Sequence, residues 1–181
     1  MIPISGDEEL ISTDSPSIQG IEWRQVTDPK LLSNDDLAAR AALIEQATGE
    51  HYDIRTLRLL PYETRTCSFE LIAGEQHPVG LLWTALINEY RARVLVFVIA
   101  SGYQDRGLGS HAWDMMLADL HATGINLIQL EVNTLDHGAL RLYRRLSLKQ
   151  IGVIREYYTR SDGILMEWSA PTGRPINPLP L

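Results

Sequence analysis

Alternation and helical periodicity divide most of this chain into strand-like and helix-like segments. Ile21-Glu22-Trp23-Arg24-Gln25-Val26 alternates as a half-buried strand does. Asp35 to Thr48 switches to helical spacing through Leu37, Ala41 and Ile44, with Gly49 placed to stop it. Residues 50 to 64 are ambiguous, with a short helix over Ile54 to Leu60 ended at Pro61. Thr66 to Ala73 and Val79 to Ile87 read as strands joined by a turn over Gly74 to Pro78, hence a hairpin. Arg93 to Ala100 is a third strand, and its unbroken apolar run from Val94 predicts cover on both faces and a central place. Ser110 to Ala122 reads as a helix, Asn126 to Asn133 as a strand and Asp136 to Leu146 as a helix. Ile151 to Tyr158 and Ile164 to Ser169 form a closing hairpin across Ser161-Asp162-Gly163. An antiparallel meander followed by strand–helix units predicts an α/β (α+β) fold, a mixed sheet with helices on both faces.

Composition narrows the class. With 181 residues, 45% hydrophobic and 22% charged, the chain is expected to hold one domain over 20–170. An acidic leader over 1–19 and a Pro-rich tail over 171–181 flank it. No apolar run is long enough to span a bilayer, the start lacks a signal-peptide pattern, and Cys67 is the only cysteine. The expected compartment is the cytoplasm, with no membrane partner. A formal net charge of −7 argues against nucleic acid as a partner. The charge is uneven: residues 137–160 hold Arg141, Arg144, Arg145, Lys149, Arg155 and Arg160 against Glu156. That sector reads either as a solvated basic face or as ground for a polyanionic small ligand.

Three features carry candidate chemistry. Gln104-Asp105-Arg106-Gly107-Leu108-Gly109-Ser110 lies between the central strand and a helix N-terminus, where backbone N–H groups can hold an anion. It is neither a Walker A loop nor the G-x-G-x-x-G fingerprint, so an ordinary tight turn is the competing reading. Ser110 is expected to cap the helix and help bind the anion. Glu131 lies on the strand face opposite Ile128, Leu130 and Val132, where partial burial would make it a general base; a solvated Glu is the alternative. Tyr143 falls on the core-facing stripe Ala139, Leu142, Tyr143 and Leu146, opposite Arg141, Arg144 and Arg145. It is either a packing residue or a proton donor. The five histidines show no zinc-like spacing, so no metal is expected.

Taken in order, Q-x-x-G-x-G after a central strand, then Leu130-Glu131-Val132, then Ala139-Leu140-Arg141-Leu142-Tyr143 resemble the GNAT superfamily of acetyl-CoA-dependent N-acetyltransferases over about residues 66–169. A closer likeness is to protein N-terminal acetyltransferases of the ribosomal-protein-alanine type. It rests on a tyrosine twelve residues after the glutamate and on a late Gly152, Tyr157, Tyr158, Asp162, Met166 pattern. Asp136 stands where that pattern often has Asn, Ser147-Leu148 where it has Gly-Phe, and Ile154 where it often has Arg. The first 65 residues carry no matching motif.

The resemblance implies a mainly antiparallel sheet of about seven strands with a splayed central pair. It assigns acetyl-CoA to Val98, Ile99, Ala100, Gln104, Asp105, Arg106, Gly107, Leu108, Gly109, Ser110, Asn133, Asp136 and Ala139. Main-chain groups of Ile99 and Ala100 would meet the pantetheine, and an N–H near Ile99 would hold the oxyanion. Glu131 would be the base, Tyr143 the acid, and Tyr157 and Tyr158 would grip an acceptor peptide. The acceptor is either a protein N-terminus or a small amine such as a polyamine, amino acid or aminoglycoside. For a small cationic amine, Glu50, Asp53 and Glu63 are candidates for attraction, against a reading of them as loop acids. A non-catalytic acetyl-CoA sensor is the third reading. The edge hairpin permits a homodimer.

Overall fold

Capping sets the ends of the first long helix. The Ser33 side chain accepts the Asp36 N–H and the Asp36 carboxylate accepts the Ser33 N–H, each at 3.1 Å. This reciprocal box starts α1 (Asn34–Thr48), and Gly49 at φ +75° ends it in a left-handed turn. The computed structural model describes residues 20–65, 67–74 and 77–171; the expected leader over 1–19 and the tail beyond 171 lie outside them. The ambiguous stretch after α1 contains α2 (Ile54–Leu59), capped by Asp53.

Among the described residues, β1 (Ile21–Gln25), β2 (Phe69–Ala73), β3 (Gly80–Asn88), β4 (Arg91–Ile99), β5 (Leu127–Asn133), β6 (Lys149–Tyr158) and β7 (Ser161–Ser169) form one sheet in the order β1-β2-β3-β4-β5-β7-β6. Every pairing is antiparallel except β4–β5. The helices α3 (Leu108–Ala122) and α4 (His137–Arg145) cover one face, burying Trp113, Met116, Leu140 and Tyr143 against Ile128, Leu130 and Met166. Helices α1 and α2 cover the other, burying Leu37, Ile44 and Leu57 against Leu81, Trp83 and Val98.

The central strand has an irregularity that the apolar run concealed. Val96 pairs with Trp83 but Val94 with Thr84, so Leu95 is an extra residue on β4. Such a bulge exchanges the faces of the strand. Ala92 and Val94 belong to the α3/α4 core, whereas Val96 and Val98 belong to the α1/α2 core and Phe97 and Ile99 pack on the α3/α4 side.

Three expectations are corrected. Helix α3 begins at Leu108, with Gly107 at φ +76° before it, so Leu108, Gly109 and Ser110 already form its first turn and Ser110 is not the cap. The buried stripe of α4 is Leu140 and Tyr143, with Ala139, Leu142 and Leu146 half-buried. The last hairpin turns at Thr159 and Arg160, because Tyr158 pairs with Ser161 and residues 161–163 are already strand. Asp162 instead fixes a bulge, accepting the Glu156 N–H at 2.9 Å and an Arg155 bond at 2.5 Å while Glu156 sits at φ +51°. These two bonds, the first the larger, hold the Asp162 carboxyl below its usual range. Ser147 takes φ +67°, a left-handed conformation that suits the glycine usual at this place in the resembling pattern.

Candidate active site

Parallel pairing between β4 and β5 stops at Arg93 and Gln129, and beyond that point the two strands part. The gap is a trough of two adjoining cavities of about 480 Å³ each. They share Ala47, Thr48, Phe97, Val98, Gln104, Asp136, Ala139 and Tyr143 as lining. The size is that of a small-molecule site.

The sheet edge facing the gap carries backbone groups that no neighbouring strand pairs. The Ala100 N–H donates to Val79 at 2.8 Å, on the β3 side, so its expected availability to a ligand is corrected. By the alternation of an antiparallel ladder, Phe97 and Ile99 then point their N–H and C=O groups to the open side. Gln104 donates from Nε2 to the Ile99 carbonyl at 2.7 Å, so its side chain closes the end of β4 instead of reaching outward.

One end of the trough has the geometry of an anion cradle. Asp105 (φ +59°) and Gly107 (φ +76°) turn the chain so that the N–H groups of Leu108, Gly109 and Ser110 open α3 without an intrahelical partner. Trp23 anchors this turn by donating to the Leu108 carbonyl at 3.1 Å. A Cβ on Gly109 would stand 3.4 Å from Leu142 and 3.7 Å from Ile99 and Phe97, ordinary contact distances that show how close the helix end lies to β4 and α4. Arg141, Arg144 and Arg145 line the same end, giving the basic sector a cavity to face. Arg106 is absent from the lining, contrary to expectation: it donates to the Gly102 carbonyl at 2.8 Å and lies over the Tyr103 ring.

Asn133 and Asp136 are engaged locally. Asn133 Oδ1 accepts from the Leu135 N–H at 2.8 Å and Ser161 Oγ at 2.7 Å, and Asp136 caps α4 by accepting the Ala139 N–H at 2.9 Å. Both still line the trough, as does Ala139.

The other end holds the ionisable groups. Glu131 is largely buried and paired at 2.8 Å with Arg93, a residue that the sequence reading left among the ordinary strand positions. Tyr143 reaches both cavities from α4, with its ring 6.3 Å from that of Phe97 and its hydroxyl free of hydrogen bonds to described residues. Burial, and then the nearby Asp136 and Tyr158, push that hydroxyl well above its usual ionisation range. Tyr158 lines the trough, whereas Tyr157 stands at its mouth, 5.0 Å away and edge-on. Gly163 makes room for the Tyr157 ring, since a Cβ there would approach it to 3.0 Å.

Of the three acids considered for a cationic acceptor, only Glu50 lines the trough, beside Tyr52. Asp53 caps α2 and Glu63 accepts the Arg65 N–H at 2.8 Å. No described helix is long and apolar enough to cross a membrane.

A sheet opened at its parallel pair, with an uncapped helix N-terminus on one side of the gap, is an architecture that suits a phosphate-bearing acyl donor. The chain belongs to the acetyltransferase (GNAT) family, whose sequence model matches residues 35–147. It is therefore an acyltransferase, and acetyl-CoA-dependent acetyl transfer is its chemistry. The match takes in α1 and α2, for which no motif was found in the sequence, and stops before the β6–β7 hairpin.

Solved structures share the fold at low identity. Ard1 from Thermoplasma volcanium is 20% identical with a TM-score of 0.72, covering 83% of this chain and 98% of its own. The ribosomal-protein-S18-alanine N-acetyltransferase from Escherichia coli is 20% identical with a TM-score of 0.68, covering 88% and 99%. Naa50 of Arabidopsis thaliana, solved with the bisubstrate analogue CoA-Ac-MVNAL, is 15% identical with a TM-score of 0.67, covering 83% and 99%. No curated protein matches in sequence.

Proposed function

We propose that this protein transfers the acetyl group of acetyl-CoA to the α-amine of a protein or peptide N-terminus. One observation carries the choice of acceptor: the trough does not end in a closed acidic pocket. It shares Glu50 and Tyr158 with an open surface depression lined also by Glu156, Tyr157, Thr159, Arg160, Ser161 and Asp162. An opening of that kind admits an extended chain whose first residue lies inside. The likeness to Naa50 and to the ribosomal-protein-alanine enzyme supports the same reading.

In this reading the N–H groups of Leu108, Gly109 and Ser110 bind the CoA pyrophosphate, with Arg141, Arg144 and Arg145 adding charge. The Phe97 and Ile99 edge of β4 aligns the pantetheine, and the Ile99 N–H donates to the thioester oxygen, where negative charge develops. The acceptor nitrogen bonds to the acetyl carbon as the carbon–sulfur bond breaks. An α-ammonium group, with pKa about 8, must first lose a proton, and Glu131 takes it, directly or through water. Tyr143 donates its proton towards the departing sulfur and is reprotonated from solvent, while the nitrogen's second surplus proton leaves to solvent as the amide forms. Tyr157 and Tyr158 hold the acceptor backbone.

Release of CoA thiol is the direct test, read against a panel of N-terminal peptides and of polyamines, amino acids and aminoglycosides. Turnover is expected with peptides; turnover confined to small amines would overturn the acceptor assignment. The cradle has its own test. Alanine at the left-handed Gly107 position is strained by about 1–2 kcal/mol, so Gly107→Ala is expected to raise the KM for acetyl-CoA about tenfold while kcat changes less than about twofold. Steady-state kinetics at saturating acceptor would show the separation.

A further inference from the structure

Arg93 sits where β4 and β5 separate. It is the last β4 residue in register with β5, opposite Gln129. Past it the register between the two strands ends, and the side chain spans the fork. Its Nε donates to Glu131 Oε2 at 3.1 Å, its Nη2 lies 2.8 Å from the same oxygen, and Nη2 also donates to the Tyr157 hydroxyl at 3.2 Å. Both contacts to Glu131 use Oε2, so Oε1 has no partner among the described residues.

We propose that Arg93 is a positioning residue for acetyl transfer, clamping Glu131 by one oxygen so that the other receives the acceptor proton, and tying the Tyr157 hairpin to that carboxylate. This rests on the reading of Glu131 as the base. A carboxylate on a strand has two freely turning χ angles beyond Cβ, and a proton acceptor must lie within about 3 Å of the amine or its bridging water. A guanidinium holding one carboxylate oxygen through two nitrogens removes that freedom. The same group carries the hairpin that would hold the peptide, so base and acceptor share one reference point.

The clamp has an electrostatic consequence. An adjacent cation favours the ionised form of a carboxylate, so loss of that cation is read as an acid limb of the rate profile at higher pH. The other groups around Glu131 are Tyr157 and Tyr158 on β6, Tyr52 and Glu50 between α1 and α2, Asp136 at the start of α4, and Glu167 on β7 beside Gln129. None of these is a cation that would replace Arg93.

The experiment compares Arg93→Gln, Arg93→Lys and Glu131→Gln by kcat/KM for an acceptor peptide against pH, with acetyl-CoA affinity measured by calorimetry. Arg93→Gln is expected to lower kcat/KM about tenfold at neutral pH and to move the acid limb to higher pH. Acetyl-CoA affinity should stay within twofold. Arg93→Lys, which keeps the charge but not the fork, should restore the limb and only part of the rate. If Arg93→Gln leaves both rate and limb in place, or weakens acetyl-CoA binding as much as turnover, the positioning role is wrong. Should Arg93→Gln fail to fold, Arg93→Lys decides: wild-type rate at every pH overturns the proposal. Glu131→Gln separates the two readings. If it keeps the acid limb, the assignment of the base fails; if it abolishes the limb while Arg93→Gln is silent, only the clamp fails.

Discussion

Tyr143→Phe is expected to lower the rate of the chemical step by at least about a hundredfold, the size usual for losing a positioned proton donor. The variant should fold as the parent does. The hydroxyl has no hydrogen-bond partner among the described residues, and the ring contact with Phe97 survives. Burial raises the hydroxyl's proton affinity, so Tyr143 remains protonated past pH 10. A departing thiolate, with a thiol pKa of about 8.5, therefore meets a donor that is present at every working pH. It follows that any alkaline limb below pH 10 belongs to another group, and the substitution should scale the rate profile down without moving such a limb. Single-turnover acid-quench kinetics would measure the chemical step apart from product release. An unchanged single-turnover rate would remove Tyr143 from the mechanism.

The second large effect concerns stability. Arg40→Ala is expected to destabilise the fold by about 3–5 kcal/mol, because it leaves Glu70 charged and alone in the interior. The pair is 2.6 Å apart at its closest, with both side chains almost wholly buried. Arg40 binds both Glu70 oxygens and also donates to the Asp36 carbonyl at 2.9 Å, joining α1 to β2. A loss of this size is a large share of the roughly 5–15 kcal/mol that holds a domain folded. Urea denaturation should show a midpoint lower by about 2 M with an unchanged slope. Replacing both partners, Arg40→Met with Glu70→Leu, should recover most of the loss. A double variant as unstable as the single one would show that helix or strand packing, and not the unpaired charge, sets the cost.

Much of the fold was legible because periodicity reports local burial. The alternation of Leu127–Asn133 put Glu131 opposite Ile128, Leu130 and Val132, and the strand is buried in that pattern. The start of α3 was misplaced because glycines at 107 and 109 read as turn, although only Gly107 takes the left-handed angle and Gly109 is helical. The last turn was misplaced for a similar reason. Ser-Asp-Gly is turn-like in composition, but Asp162 spends its carboxylate on a bulge and Gly163 makes room for Tyr157.

A resemblance of motifs pointed to the family; by itself, the sequence determined the order of strands and helices, the central place of residues 94–100, and the candidates Glu131 and Tyr143. Those follow from spacing along the chain, where hydrophobic pattern and turn chemistry act locally. Only the tertiary structure decided which groups meet: Arg93 with Glu131 and Tyr157, Gln104 with the Ile99 carbonyl, and Arg40 with Glu70. It also turned Arg106 away from the trough and committed the Ala100 N–H to β3. Arg93–Tyr157, Arg93–Glu131 and Arg40–Glu70 join residues thirty or more positions apart, and no periodicity records them. The two Arg93 contacts sit where the parallel pair stops at Arg93 and the sheet opens, whereas Arg40–Glu70 forms where α1 packs on β2.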